Sequence, residues 1–147
     1  MMSRPAMYTI AQRFHFSAAH TLRSSGMSAQ ENATVYGKCA NPTGHGHDYV
    51  IEVIVSAPCL MDDVVVGRAW FEDVARQQLA AKFMFKNLNE TFGDGFIPTG
   101  ENLARAAWRL LHPHLPAGLS LTVRVVETPK NEFVFRGSGE QLDSRSV

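Results

Sequence analysis

The sequence predicts a single α+β domain spanning residues 1–147, an antiparallel sheet carrying two helices on one face. Three observations lead there. Each end of the chain holds two stretches that alternate between apolar and polar residues with a period of two. The middle holds two stretches whose apolar residues recur at a period near 3.6. The order is therefore strand, strand, helix, helix, strand, strand, and hairpin-like neighbours at both ends favour antiparallel pairing over parallel crossovers.

The first strand is "YTIAQRFHFSAAH", with Ile10, Phe14, Phe16, Ala18 and His20 on one parity and Thr9, Arg13, His15 and Ser17 on the other. Its apolar row ends in a histidine. A long polar stretch, "LRSSGMSAQENATVYGKCANPTG", reads as a loop, and long loops in compact domains are often functional. The second strand, "HGHDYVIEVIVSA", puts His45, His47, Tyr49, Ile51, Val53 and Val55 on one face. The first helix is expected in "RAWFEDVARQQLAAKFMF", through Phe71, Val74, Ala75, Leu79 and Phe83. The second is expected in "ENLARAAWRLLHPHL", with Thr99 as N-cap and Pro113 as its stop. "LSLTVRVVET" and "NEFVFRG" close the chain as strands. In the former, Leu119, Leu121, Val123 and Val125 share a face that Glu127 completes, and a carboxylate at the end of an apolar row is costly unless paired or used.

Composition removes several function classes. The 14 basic and 14 acidic side chains cancel, and no basic stripe suggests a phosphate-backbone binder. No apolar run approaches the ~20 residues of a membrane helix. The first residues lack the apolar centre of a secretory signal, so a cytoplasmic location is expected. In that reducing setting Cys39 and Cys59 are expected as free thiols, Cys59 without a role.

"KCANPTGHGHDY" concentrates the chemistry. Residues two apart on a strand project side by side, so His45 and His47 can grip one ion, with Gly46 between them removing bulk. If the first two strands pair antiparallel, His20 arrives beside them. Three imidazoles with a fourth position open is a catalytic zinc arrangement. The competing reading is a chance His-x-His with satisfied side chains. Cys39 has three readings: a fourth ligand, a reactive thiolate favoured by Lys38 and a nearby dication, or a small buried apolar residue. His112 and His114 flank Pro113 at a helix end, where they suit the helix dipole. His15 points away from His20. Glu101, in the first turn of a helix, is explained by the dipole alone.

"FHFSAAH", "YGKCANPTGHGHDYVIEV", "PTGENLA" and "RVVETPKNEFVFRG" resemble, in order over about residues 13 to 137, the 6-pyruvoyltetrahydropterin synthase and 6-carboxytetrahydropterin synthase family. The resemblance implies the tunnelling fold, a four-stranded antiparallel sheet with two helices whose subunits assemble into a barrel as a homotrimer or homohexamer. It implies a Zn²⁺ site on His20, His45 and His47, and Cys39 as general base or acid. It also implies Glu127 as the acid that anchors a pterin ring, with Thr99 and Glu101 lining the pterin pocket. The implied substrate is 7,8-dihydroneopterin triphosphate, from which a carbon–oxygen lyase eliminates triphosphate. The gap of five residues between Cys39 and His45 looks like the pyruvoyl branch rather than the carboxy branch that leads to queuosine.

One departure stands out. The family carries an Asp-His pair just before a Lys-Asn-Leu segment, and that pair assists the cysteine in proton transfer. Here Lys86, Asn87 and Leu88 follow Met84 and Phe85, neither of which carries a proton. The alternatives are therefore a zinc- and pterin-binding paralogue with little or altered catalysis, or the 6-carboxytetrahydropterin synthase reaction.

Overall fold

The computed structural model describes residues 7–137. Its sheet contains β1 (Tyr8–His20), β2 (His45–Ala57), β3 (Ser120–Thr128) and β4 (Asn131–Phe135), in that spatial order. All three pairings are antiparallel. The helices are α1 (Ala29–Tyr36), α2 (Arg76–Phe83), α3 (Leu88–Phe92) and α4 (Gly100–Leu111). The α+β layer architecture is as the sequence predicts, and the first two strands begin and end where the alternation does.

Differences lie between the strands. The stretch expected as loop contains α1 and a 3₁₀ turn, Gly37–Ala40. Ser28 accepts from the Glu31 amide while the Glu31 carboxylate accepts from the Ser28 amide, a capping box that satisfies two orphan donors. The first middle helix opens as a π-helical segment, Trp70–Ala75, before becoming α2. It stops at Phe83, because Met84 is extended and Phe85 has φ 52°. Short α3, capped by Asn87, was not expected from the 3.6 periodicity. At the other helix, Thr99 caps the Asn102 amide as predicted, and α4 passes into a 3₁₀ turn at His112–His114. His112 does not act there through the helix end alone, since its ring stacks on Trp108 with centroids 4.2 Å apart.

One sheet face is packed and the other is open. The inward row of β1 and β2, from Phe14 and Phe16 to Tyr49, Ile51, Val53 and Val55, is buried with Leu121, Val123 and Val125 of β3. Phe71, Leu79 and Phe83 cover it from one helix and Leu103, Ala107 and Leu111 from α4. Gly100 lets the first turn of α4 lie on β4, because a Cβ there would fall 2.0 Å from the Phe133 ring. On the open face Arg13, Glu52 and Arg124 stand in one cross-strand row. Glu52 is only 6% exposed, and it accepts from Arg13 at 2.7 Å and Arg124 at 3.1 Å. A charge that buried is tolerated because both oxygens are paired.

Candidate metal and ligand site

Strand register builds the site. His20 pairs directly with His45, and Ala18 pairs with His47. The inward parity that buries Phe16 and Tyr49 therefore brings three imidazoles together at one end of the sheet. Their ring centroids lie 4.5–5.1 Å apart. Gly44, at φ 73°, turns the chain into β2 so tightly that a Cβ would lie 3.1 Å from Thr21 Oγ1. Gly46 is different from what the sequence suggested. A Cβ there would meet only the Ala18 carbonyl, at 3.7 Å, so relief of bulk does not explain this glycine.

The 3₁₀ turn carries Cys39 to the same place. One ligand atom each from His20, Cys39, His45 and His47 lies within 4.8 Å of the others, and among the described residues this is the only such group. Cys39 Sγ is 3.4 Å from His45 Nε2. His20 is buried, and its Nδ1 lies 3.0 Å from the Pro98 carbonyl and 3.0 Å from the Tyr49 hydroxyl. A carbonyl only accepts, so Nδ1 carries the hydrogen and Nε2 presents a lone pair to the cluster. Such orientation by an outer partner is how metal-binding histidines are commonly fixed. Burial holds the His20 pKa down to about 4, aided by the charges of His47 and His45 and opposed by the Pro98 bond. Burial, then His45, lowers His47 as well. Neutral imidazoles are what a metal needs.

Glu127 occupies a bulge. The β3–β4 register shifts between Val126 and Thr128, which leaves Glu127 outside the ladder and free to aim at the cluster. Its Oε1 lies 3.5 Å from His20 Nε2 and 3.8 Å from His47 Nε2. These three atoms are buried without hydrogen-bond partners. A set of aimed, unsatisfied donors suits a divalent ion such as zinc, held by nitrogen, sulfur or carboxylate. Burial pushes the Glu127 carboxyl up, while His45 pulls it down and the Glu101 carboxylate pushes it further up. Glu101 is exposed on the first turn of α4, and Thr99 stands just before it as the cap. The Cys39 thiol is pushed up, by burial and then by Glu127, so Lys38 does not by itself make it a thiolate.

Two clefts flank His47. One, about 880 Å³, has Cys39, His45 and His47 in its wall, with Arg23 and Lys38 as its cations. The other, about 460 Å³, is walled by Ser17, Gly46, His47, Asp48, Phe85 and Lys86. Phe85 is 83% exposed, and its amide donates to the Ser17 carbonyl at 2.8 Å. It does not join Phe83 in the core, and within the chain it lines the cleft that lacks Cys39. Sequence reading did not single out Arg23, Tyr49 or the Pro98 carbonyl. The inward parity of Tyr49 was a signal, whereas nothing local marks a carbonyl that meets a ring 78 residues away.

The model of the 6-pyruvoyl tetrahydropterin synthase family matches residues 9–138. The chain belongs to this family. The 6-pyruvoyl tetrahydrobiopterin synthase of Poecilia reticulata is 38% identical over 126 residues, 83% of this chain and 85% of that one. The Homo sapiens enzyme of the same name is 32% identical over 133 residues, covering 87% and 90%. The solved 6-pyruvoyl tetrahydropterin synthase of Caenorhabditis elegans superposes with TM-score 0.82 at 32% identity, over 93% of this chain and all of that one. As a member of the 6-pyruvoyl tetrahydropterin synthase family, the chain has the four-stranded sheet and helices of the tunnelling fold. No helix among its described residues is long and apolar enough to cross a membrane.

Proposed function

We propose that this protein is a zinc-dependent carbon–oxygen lyase that eliminates triphosphate from 7,8-dihydroneopterin triphosphate. The observation that carries the reading is the group of unsatisfied side chains, His20, His47 and Glu127, gathered with Cys39 and His45 in a member of this family. His20, His45 and His47 hold the ion. Bound there, zinc supplies positive charge that acidifies substrate hydroxyls and stabilises charge developing on oxygen. Glu127 accepts paired N–H donors from the pyrimidine edge of the pterin, a charge-assisted contact that fixes ring orientation. Thr99 and Glu101 border the pterin from the N-terminus of α4. Arg23 and Lys38 suit the triphosphate, since both are cations of the cleft that contains Cys39. Cys39 holds and moves the side-chain proton. Its thiol starts protonated when no ion is present, so its basicity depends on positive charge in the site. The relatives named above are 6-pyruvoyl enzymes, which supports that product over the 6-carboxy one.

Met84 and Phe85 favour a second reading, in which zinc and pterin bind but turnover is slow or altered. Neither side chain moves a proton, and general acid–base groups contribute roughly 10²–10⁴-fold. Product analysis with dihydroneopterin triphosphate and zinc tests both. Release of inorganic triphosphate at about 1 s⁻¹ or faster supports the lyase and removes the second reading. Binding without release, recovered in a folded Met84→Asp, Phe85→His variant, supports the second. Among the described residues the outer edge of β4 has no partner strand, and on the outer edge of β1 only Ser17 and Ala19 pair, with the segment from Phe85 to Asn87, so we also propose a barrel of three chains, alone or doubled to six; a stable monomer by light scattering removes it.

A further inference from the structure

His20 and Glu127 are mismatched as the chain alone presents them. His20 gives its Nδ1 hydrogen to the Pro98 carbonyl at 3.0 Å, so its Nε2 offers only a lone pair. That lone pair faces Glu127 Oε1 at 3.5 Å, too long for an O–H···N bond from a protonated carboxyl. The same oxygen lies 3.8 Å from His47 Nε2. All three atoms are buried and have no hydrogen-bond partner among the described residues. The His20 lone pair and a carboxylate oxygen set face to face repel unless a cation sits between them. The separation from His20 is close to ligand spacing and that from His47 is slightly wide of it: a tetrahedral ion with bonds of 2.0–2.1 Å spaces its ligand atoms about 3.3–3.4 Å apart. Cys39 Sγ is also near ligand spacing, 3.4 Å from His45 Nε2, and is the rival of Glu127 for the fourth position. The bulge between Val126 and Thr128 frees Glu127 from the ladder and gives it latitude to change partners.

We propose that Glu127 is itself a metal ligand in the pterin-free protein, and that pterin draws it off. Its carboxylate closes the coordination set of His20, His45 and His47, with Cys39 outside. When the pyrimidine edge of a pterin arrives, Glu127 exchanges the ion for the ring's N–H donors. A coordination position then opens only when substrate is in place. The second half of this proposal rests on the pterin-anchoring role of Glu127 argued above; the first half does not.

Cobalt(II) absorption of the full-length chain tests it without turnover. Cobalt-loaded protein is expected to show tetrahedral visible bands and no thiolate charge-transfer band. Glu127→Gln is expected to shift those bands and weaken cobalt binding roughly tenfold or more, with three histidines still able to take up one ion. Cys39→Ala is expected to leave both unchanged. Saturating pterin, which has the pyrimidine edge but no side-chain hydroxyl, is expected to move the parent spectrum toward that of Glu127→Gln. Should that variant fail to fold by circular dichroism, Glu127→Asp serves, with an expected shift from its shorter reach. A charge-transfer band that Cys39→Ala abolishes overturns the proposal, as does an unchanged spectrum and affinity in Glu127→Gln. A spectrum indifferent to pterin overturns the exchange. Calorimetry on the parent chain then separates the causes, because absence of pterin binding places that failure in the anchoring role and not in the ligation.

Discussion

The middle of the sheet and its metal-site end share one inward face and obey opposite rules. Along β1 the row runs Phe14, Phe16, Ala18, His20; along β2 it runs backward from Ile51 through Tyr49 to His47 and His45; along β3 it runs Val123, Val125, Glu127. In the middle every residue is apolar, buried and matched by helices above it. At the end the geometry continues but the matching stops, and three of its polar atoms have no partner. Stability is therefore concentrated in the middle and binding capacity at the end. Natural proteins break a local rule where the break has a use.

Substitutions at the two places should separate those properties. The largest effect is expected in the middle. Phe14→Ala removes a ring that stacks on Phe16 and lies beneath Arg76, and should cost about 3–5 kcal/mol in urea unfolding. Zinc per folded chain should be unaffected. His47→Ala should do the reverse, with little change in the urea midpoint of metal-free protein and zinc affinity down about 100-fold, near 2.7 kcal/mol. Elemental analysis that finds full zinc occupancy after dialysis would remove His47 from the ligand set.

Acid should discriminate as well. An unfolded histidine titrates near 6.5, whereas folded His20 stays neutral down to about 4. The unfolded chain therefore takes up the proton first, and stability is lost as pH falls through that window. For metal-free protein this amounts to about 2 kcal/mol between pH 7 and pH 5, and His47 works in the same direction. Glu127, whose carboxyl is pushed up, works against the loss, so removing it should steepen the decline. A flat urea midpoint over this range would contradict the buried neutral His20. The smallest effect is the most pointed. Glu127→Gln should stabilise metal-free protein by about 1 kcal/mol, because a buried unpartnered charge is costly. A destabilised variant would show that Glu127 is matched after all.

The sequence exposed features with a regular period and hid those that depend on distant contacts. The strands were legible because Tyr8–His20 and His45–Ala57 alternate almost without fault, and their pairing placed His20 beside His45. Glu127 was legible as the wrong residue at the end of an apolar row. The bulge that aims it was not, because a register shift belongs to two strands at once. Helix α1 escaped notice since it is short and polar, although Ser28 and Glu31 spelled its cap. Lys38 and a nearby dication suggested a thiolate at Cys39; in the chain without an ion, burial and then Glu127 push the thiol up despite Lys38, which leaves the dication to favour it. Phe85 follows buried Phe83 by two residues, yet it is exposed, as Met84 and Lys86 beside it are. Its left-handed backbone, held by the Ser17 carbonyl, turns it outward.

The direct pairing of His20 with His45 also bears on how the chain reaches this structure. Because alternate residues face opposite sides, a slip of one residue between β1 and β2 would turn His45 and His47 away from His20. A misaligned chain would then have no three-imidazole grip. Any ion taken up during folding would favour the correct alignment over its neighbours, since only that alignment can hold it. Metal would then act as a proofreader of strand register, and metal retention would report the fraction of chains that folded in the right alignment.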